Sequence, residues 1–156
     1  MTTFNFQDGN GLVAAHQHPK GGGWVADTAK VSATALVDQN ARVFGNARVF
    51  GNARVYGNAR VSDNAWVYGN ARVSGDAIIA TSKFPQVKRS DGYDFIAVPC
   101  ADGETRVIAG RRYFTFKEAK KHWKETRGGT PLGDETMLIL KYLKQYVKMQ
   151  RLKNEL

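Results

Sequence analysis

Gly45-Asn46-Ala47-Arg48-Val49-Phe50-Gly51-Asn52-Ala53-Arg54-Val55-Tyr56-Gly57-Asn58-Ala59-Arg60-Val61 repeats one six-residue phrase almost unchanged. Outward from it the sixfold spacing of aliphatic residues runs without a gap through Val25, Val31, Val37, Val43, Val49, Val55, Val61, Val67, Val73 and Ile79. An alanine stands two places before each of these from Val31 onward, and an asparagine three places before each from Val43 to Val73. A period of six matches no helix face, and one strand of this length would far exceed the usual size. The spacing therefore predicts a coil of short strands. In each unit Val and the small Ala point inward, Arg and the aromatic point outward, and the chain bends at Gly-Asn, where positive φ is tolerated. One unit cannot bury its apolar side alone, whereas stacked units share a continuous column of Val and Ala.

These residues resemble the hexapeptide-repeat proteins, which fold as a left-handed parallel β-helix with about three hexads to each triangular coil. The resemblance covers residues 24–82 and implies a mainly β protein with about three coils. It also implies a homotrimer about an axis parallel to the coil and, in many members, acyl transfer from acyl-CoA or acyl carrier protein. This chain departs from the usual pattern in placing an aromatic or Ser directly after the Val, which changes what the outer faces display.

With three hexads per coil the outward residues sort by face. Trp24, Ala26, Arg42, Phe44, Arg60, Ser62 and Ile78 share the first. Lys30, Ser32, Arg48, Phe50, Trp66 and Tyr68 share the second, and Leu36, Asp38, Arg54, Tyr56, Arg72 and Ser74 the third. The second is the most apolar, so Phe50, Trp66 and Tyr68 are expected at an oligomer interface or against the C-terminal module. On the other two, Arg42 with Arg60 and Arg54 with Arg72 would lie a strand spacing apart, ~4.8 Å, where like charges repel unless an anion or acidic partner lies between them or solvent screens them, the Arg stems then covering the rings and their heads reaching water. The Asn column is expected at the bends, bonding from coil to coil.

Residues 1–23 read as an N-terminal cap over the open end of the coil. Within it, His16 and His18 lack a third ligand at a matching spacing, so no metal is expected, and Lys20 with Gly21 to Gly23 reads as a flexible lead-in. Residues 83–156 read as a separate module. A polar connection from Lys83 to Asp94 precedes a β-hairpin of Phe95 to Cys100 and Arg106 to Gly110. Thr115 and Glu118 form a capping box for a helix with Phe116, Ala119 and Trp123 on one side. Gly128, Gly129 and Pro131 interrupt, and a final helix from about Asp134 carries a broad apolar surface before a basic tail. The expected fold class is mainly β, a coil of short strands followed by a hairpin and two α-helices, the coil being a left-handed parallel β-helix as the resemblance implies.

A formal charge of +9 over 156 residues favours anionic partners, or equally serves to keep a repetitive β surface soluble and to discourage stacking end to end. The single cysteine, Cys100, excludes an internal disulfide and reads as a buried small hydrophobe. No stretch has the length of a membrane span and the N-terminus lacks a leader pattern, so a cytoplasmic protein without a membrane partner is expected. With Gly110-Arg111, Phe114-Thr115 and Glu118-Ala119 spaced ahead of His122-Trp123, residues 106–123 also resemble a short module of small bacteriophage and prophage proteins, a resemblance that implies a viral origin and the host cytoplasm.

An acyltransferase of the hexapeptide class generally uses a histidine near the coils as general base. The repeat contains none, and His16, His18 and His122 lie outside it. The reading favoured by the residues is a non-catalytic accessory factor, without cofactor, that presents basic and aromatic surfaces or intersubunit clefts to a nucleotide, nucleic acid or host protein; the phage resemblance alone implies that such a factor could antagonise host defence. Arg42, Arg54, Arg60, Arg72, Arg111 and Arg112 are the expected anion contacts. Acyl transfer is the alternative and a structural spacer the third option.

Overall fold

In the computed structural model, which describes residues 1–80 and 85–154 with side chains as far as Arg151, each Arg-Val pair or its equivalent is a two-residue strand and each Gly-Asn a bend. Two compact units emerge, Met1–Lys83 and Phe84–Leu156. In the first, β3 (Trp24–Ala26), β6 (Arg42–Val43), β9 (Arg60–Val61) and β12 (Ile78–Ile79) stack in parallel as one face. A second stacks β4 (Lys30–Val31), β7 (Arg48–Val49) and β10 (Trp66–Val67), and a third β5 (Leu36–Val37), β8 (Arg54–Val55) and β11 (Arg72–Val73). Val25 pairs with Val43 and Val43 with Val61, so the coil repeats every three hexads and the face assignments above are those observed. This is a β-solenoid of about three turns. Backbone bonds such as Arg42 N–H to Ala59 O (3.0 Å) and Phe44 N–H to Val61 O (2.9 Å) join successive coils. Nine of the ten column residues are buried, and Val31 is half-buried.

The bends owe their geometry to glycine. Gly45, Gly51, Gly57, Gly69 and Gly75 all have φ between 62° and 67°. Asp63 stands where the motif would place Gly and adopts the same left-handed region at 53°. The expected amide ladder is sparse among the described residues: the Asn column is exposed, and its bond to the next coil there is Asn58 Nδ2–H to Asp76 Oδ1 at 3.4 Å. The bends are held by the backbone stack, aided by Thr28 and Thr34 hydroxyls donating to the Gly45 and Gly51 carbonyls.

The N-terminal residues close the first coil along all three faces. β1 (Thr3–Asn5) and β2 (Leu12–Gln17) form an antiparallel hairpin, and β2 pairs with the outer edge of β3. His18 is buried, with Nε2 3.2 Å from the Ser32 carbonyl and Nδ1 accepting from Lys20 N–H at 3.2 Å. The triglycine is no flexible lead-in. Gly23 N–H bonds Val37 O (2.9 Å) and Val37 N–H bonds Lys20 O (3.1 Å), an approach so close that a Cβ on Gly21 or Gly23 would collide with the Val37–Asp38 backbone. Glycine is required here by space, and unpaired edge groups of the third face are thereby satisfied.

In the second unit the expected hairpin is the centre of a four-stranded antiparallel sheet, β13 (Gln86–Lys88), β14 (Asp94–Pro99), β15 (Thr105–Ala109) and β16 (Arg112–Phe114). Phe95, Ala97, Val107 and Ala109 pack against Ala119 and Trp123 of α1 (Phe116–Arg127) and against Ile139, Leu140 and Leu143 of α2 (Pro131–Asn154). The capping box at Thr115 and Glu118 is present. Pro131 does not interrupt: it is the first residue of α2, where a missing N–H costs nothing, and Thr130 Oγ1 accepts from Gly133 N–H as the cap. Part of the expected linker, Lys83 and Phe84, and the end of the basic tail lie outside the described residues.

Arg89 organises this unit although its sequence context reads as a polar turn. Its side chain is buried at 3 % exposure, donates through Nε and Nη2 to both Asp91 carboxylate oxygens (2.9 and 2.8 Å) and through Nη1 to Thr136 Oγ1 of α2 (2.9 Å). Its guanidinium lies 5.1–5.6 Å from the ring centres of Tyr93, Phe95 and Trp123. One buried cation thus ties the sheet to both helices.

Candidate functional site

The three solenoid faces carry the same hexad yet differ in what covers them. On the first, Phe6 of the N-terminal hairpin is fully buried and stacks on Phe44 at 5.0 Å, while Phe4 stacks on Trp24 at 4.6 Å. Arg42 lies over Phe4 (5.3 Å) and donates to Gln7 Oε1 (3.2 Å). Arg60 lies over Phe44 (5.1 Å) and donates to the Phe6 carbonyl (2.6 Å). Phe44, at an outward position, is therefore buried, because the chain folds back over it. Beside this cover opens a polar cleft of about 310 Å³ between Phe4, Trp24, Gln39, Asn40, Arg42 and Asn58. It sets one guanidinium and several amides around an aromatic edge, donors suited to a planar polar or anionic group.

Among the described residues of this unit the second face has no such cover. Phe50, Trp66 and Tyr68 are 38 %, 46 % and 52 % exposed, and Arg48 lies over the Trp66 ring at 5.2 Å. Arg48 pairs in register with Trp66, so guanidinium and indole sit on neighbouring rungs. On the third face Arg54 and Arg72 are register partners, Arg54 exposed and Arg72 half-buried. Among the described residues neither has an acidic partner within ion-pair distance. Arg111 and Arg112 belong to the other unit, exposed at the turn into β16. The structure thus brings Arg42 to Arg60 on one face and Arg54 to Arg72 on another, with the first pair already engaged by the N-terminal hairpin.

Of the histidines, His16 has the arrangement of a base. Its Nδ1 lies 2.7 Å from Asp27 Oδ1, so an Nδ1–H donates to the carboxylate and orients the ring, and both side chains are half exposed. No sequence motif marks this pair; the register of β2 on β3 creates it. His122 packs between Phe114 (5.2 Å) and Trp123 (4.8 Å), and burial, with Arg112 nearby, pushes its pKa below the ordinary imidazole value. Cys100 is buried with Sγ 3.0 Å from the Tyr113 hydroxyl. Among the described residues no group of three or more His, Cys, Asp or Glu is placed to hold a metal ion. Nor is any described helix long and apolar enough to cross a membrane.

Residues 41–55, 53–69 and 65–80 match the family model of the YdcK beta solenoid repeat. The matched stretch lies wholly within the coil and spans about a quarter of the chain, so fold and comparison together place it among β-solenoid repeats. No curated protein and no solved structure matches the chain.

Proposed function

We propose that this protein is a non-catalytic binding scaffold whose solenoid self-associates through its second face, as a homotrimer, and presents its remaining arginines to an anionic partner. The carrying observation is the contrast between faces: the aromatic after the inward Val is buried by the chain's own hairpin at Phe44, yet Phe50 and Tyr68 stand in water beside Trp66 and Arg48. Trp, Tyr and Arg are the residue types that dominate binding energy at interface centres. The anion contacts are Arg54 with Arg72, whose side-by-side charges an anion would relieve, and Arg42 in its amide-lined cleft. A nucleotide fits both the donors and the aromatic edge; an acidic protein surface fits the column alone. The resemblance of residues 106–123 to a phage module adds the outermost part of the proposal, sequestration of a host nucleotide or protein by a viral factor.

A second reading, acyl transfer, rests on His16. Oriented through Nδ1 by Asp27, it leaves Nε2 free to take a proton. Native mass spectrometry of the protein with a nucleotide mixture, and separately with acetyl-CoA, tests both. Retention of a nucleotide by an oligomer, lost on Arg42→Ala or on Arg54→Ala with Arg72→Ala, supports the scaffold. Thioester turnover abolished by His16→Ala overturns it in favour of the enzyme.

A further inference from the structure

The two helices of the second unit leave a groove of about 630 Å³ between them. Its floor is apolar: half-buried Phe116 at the start of α1, half-buried Met137 and buried Leu140 from α2. Its walls are cationic. Lys117 and Lys120 rise from α1, Lys141 and Lys144 from α2, all four exposed, and among the described residues no acidic side chain lines the groove. Among the described residues none of these lysines has an ion-pair partner. Each pair is spaced three residues apart, about 4.5 Å along its helix axis, so each wall offers two cations one helical turn apart.

We propose that this groove seats an acidic amphipathic helix from a partner protein, laid as a third helix against α1 and α2. The charge distribution selects the occupant. A fatty acid or other single-headed amphiphile would neutralise one wall and leave the facing lysines in repulsion. A nucleic acid would answer the lysines but leave Phe116, Met137 and Leu140 uncovered. A second copy of this chain would bring more positive charge, since the other apolar stripe of α2, Leu138, Tyr142 and Met149, runs beside Lys141 and Lys148. A helix with apolar residues at i, i+3, i+4 and i+7 and carboxylates on both flanks matches floor and walls together. This docking site is independent of the solenoid faces and goes beyond the scaffold reading.

The test uses the full chain and a set of fluorescein-labelled 18-residue peptides with Leu at that spacing and Glu or Asp at both flanks. Fluorescence anisotropy is read beside scrambled peptides of equal composition and beside dodecanoate and single-stranded oligonucleotide as competitors. The expected result is binding tighter than about 100 μM that weakens steeply with salt, at least tenfold weaker for the scrambles and for Lys120→Glu with Lys144→Glu. Both lysines are exposed, so circular dichroism of that variant should match the wild type. Equal binding of scrambled peptides, binding insensitive to the charge reversal, displacement by dodecanoate or oligonucleotide at equal concentration, or no peptide bound would each overturn the proposal. Native mass of the same variant should still report the oligomer, which separates failure here from failure of the scaffold reading.

Discussion

Replacing Gly45 and Gly69 by alanine, one at a time, probes the coil stack with chemically identical changes. Both glycines sit at Gly-Asn bends with nearly equal φ, 63° and 65°. The backbone strain of placing alanine there is therefore common to both, about 1–2 kcal/mol, partly offset by about 0.4–1 kcal/mol of lost unfolded-state freedom. What differs is the neighbour on the next coil. A Cβ on Gly45 would stand 2.8 Å from Asp63 N and 3.1 Å from its Cα, backbone atoms that cannot swing aside, whereas a Cβ on Gly69 would meet nothing within 4 Å. Overpacking of that kind adds about 1–3 kcal/mol. Gly69→Ala should thus cost about 1 kcal/mol and Gly45→Ala about 2–4 kcal/mol. Urea unfolding followed by circular dichroism should separate the two midpoints by about 1 M, given slopes of ~1–3 kcal/mol/M. Equal midpoints would mean that the bends do not stack one above the other, and the eighteen-residue coil would be refuted.

Asp91→Ala should destabilise the second unit by about 3 kcal/mol, because it strands the buried Arg89 guanidinium; Arg89→Met, which removes the charge and keeps volume, should cost less in the same denaturation experiment. The Arg89 guanidinium holds the Asp91 carboxyl down at about 2, below its ordinary value near 3.9, so its stabilisation is complete above about pH 4 and fades as pH falls through 2. An acid titration followed by circular dichroism should show this loss in the wild type and not in Arg89→Met. Phe6→Ala should cost about 3–5 kcal/mol and uncover Phe44, read as a lower thermal midpoint with increased binding of a hydrophobic dye.

The solenoid was legible because its signal is periodic and local: Val at every sixth place and Ala two before it suffice to set inside from outside, and three hexads per coil then sort the faces. The uncovered aromatic ladder followed from the same arithmetic. What the sequence did not disclose depends on distant pairing. Phe4 and Phe6 reveal nothing of their seat on Trp24 and Phe44 until the hairpin folds back, so Arg42 and Arg60 read as open when the hairpin already engages them. Likewise Asp27 meets His16 only through strand register, and Arg89 is buried by rings from two separate segments, Tyr93 with Phe95 and Trp123 of α1. Three-residue strands such as β13 and β16 are too short to show alternation. Pro131 looked like a break because proline both stops helices and starts them.

Sedimentation equilibrium of the wild type and of Trp66→Glu addresses the proposed association through the second face most directly. The account predicts a wild-type mass three times the 17.3 kDa of the chain, falling to the single-chain mass in the variant while its circular dichroism stays unchanged. A wild type that remains at the single-chain mass at every concentration, or an oligomer indifferent to a charge on Trp66, would contradict it.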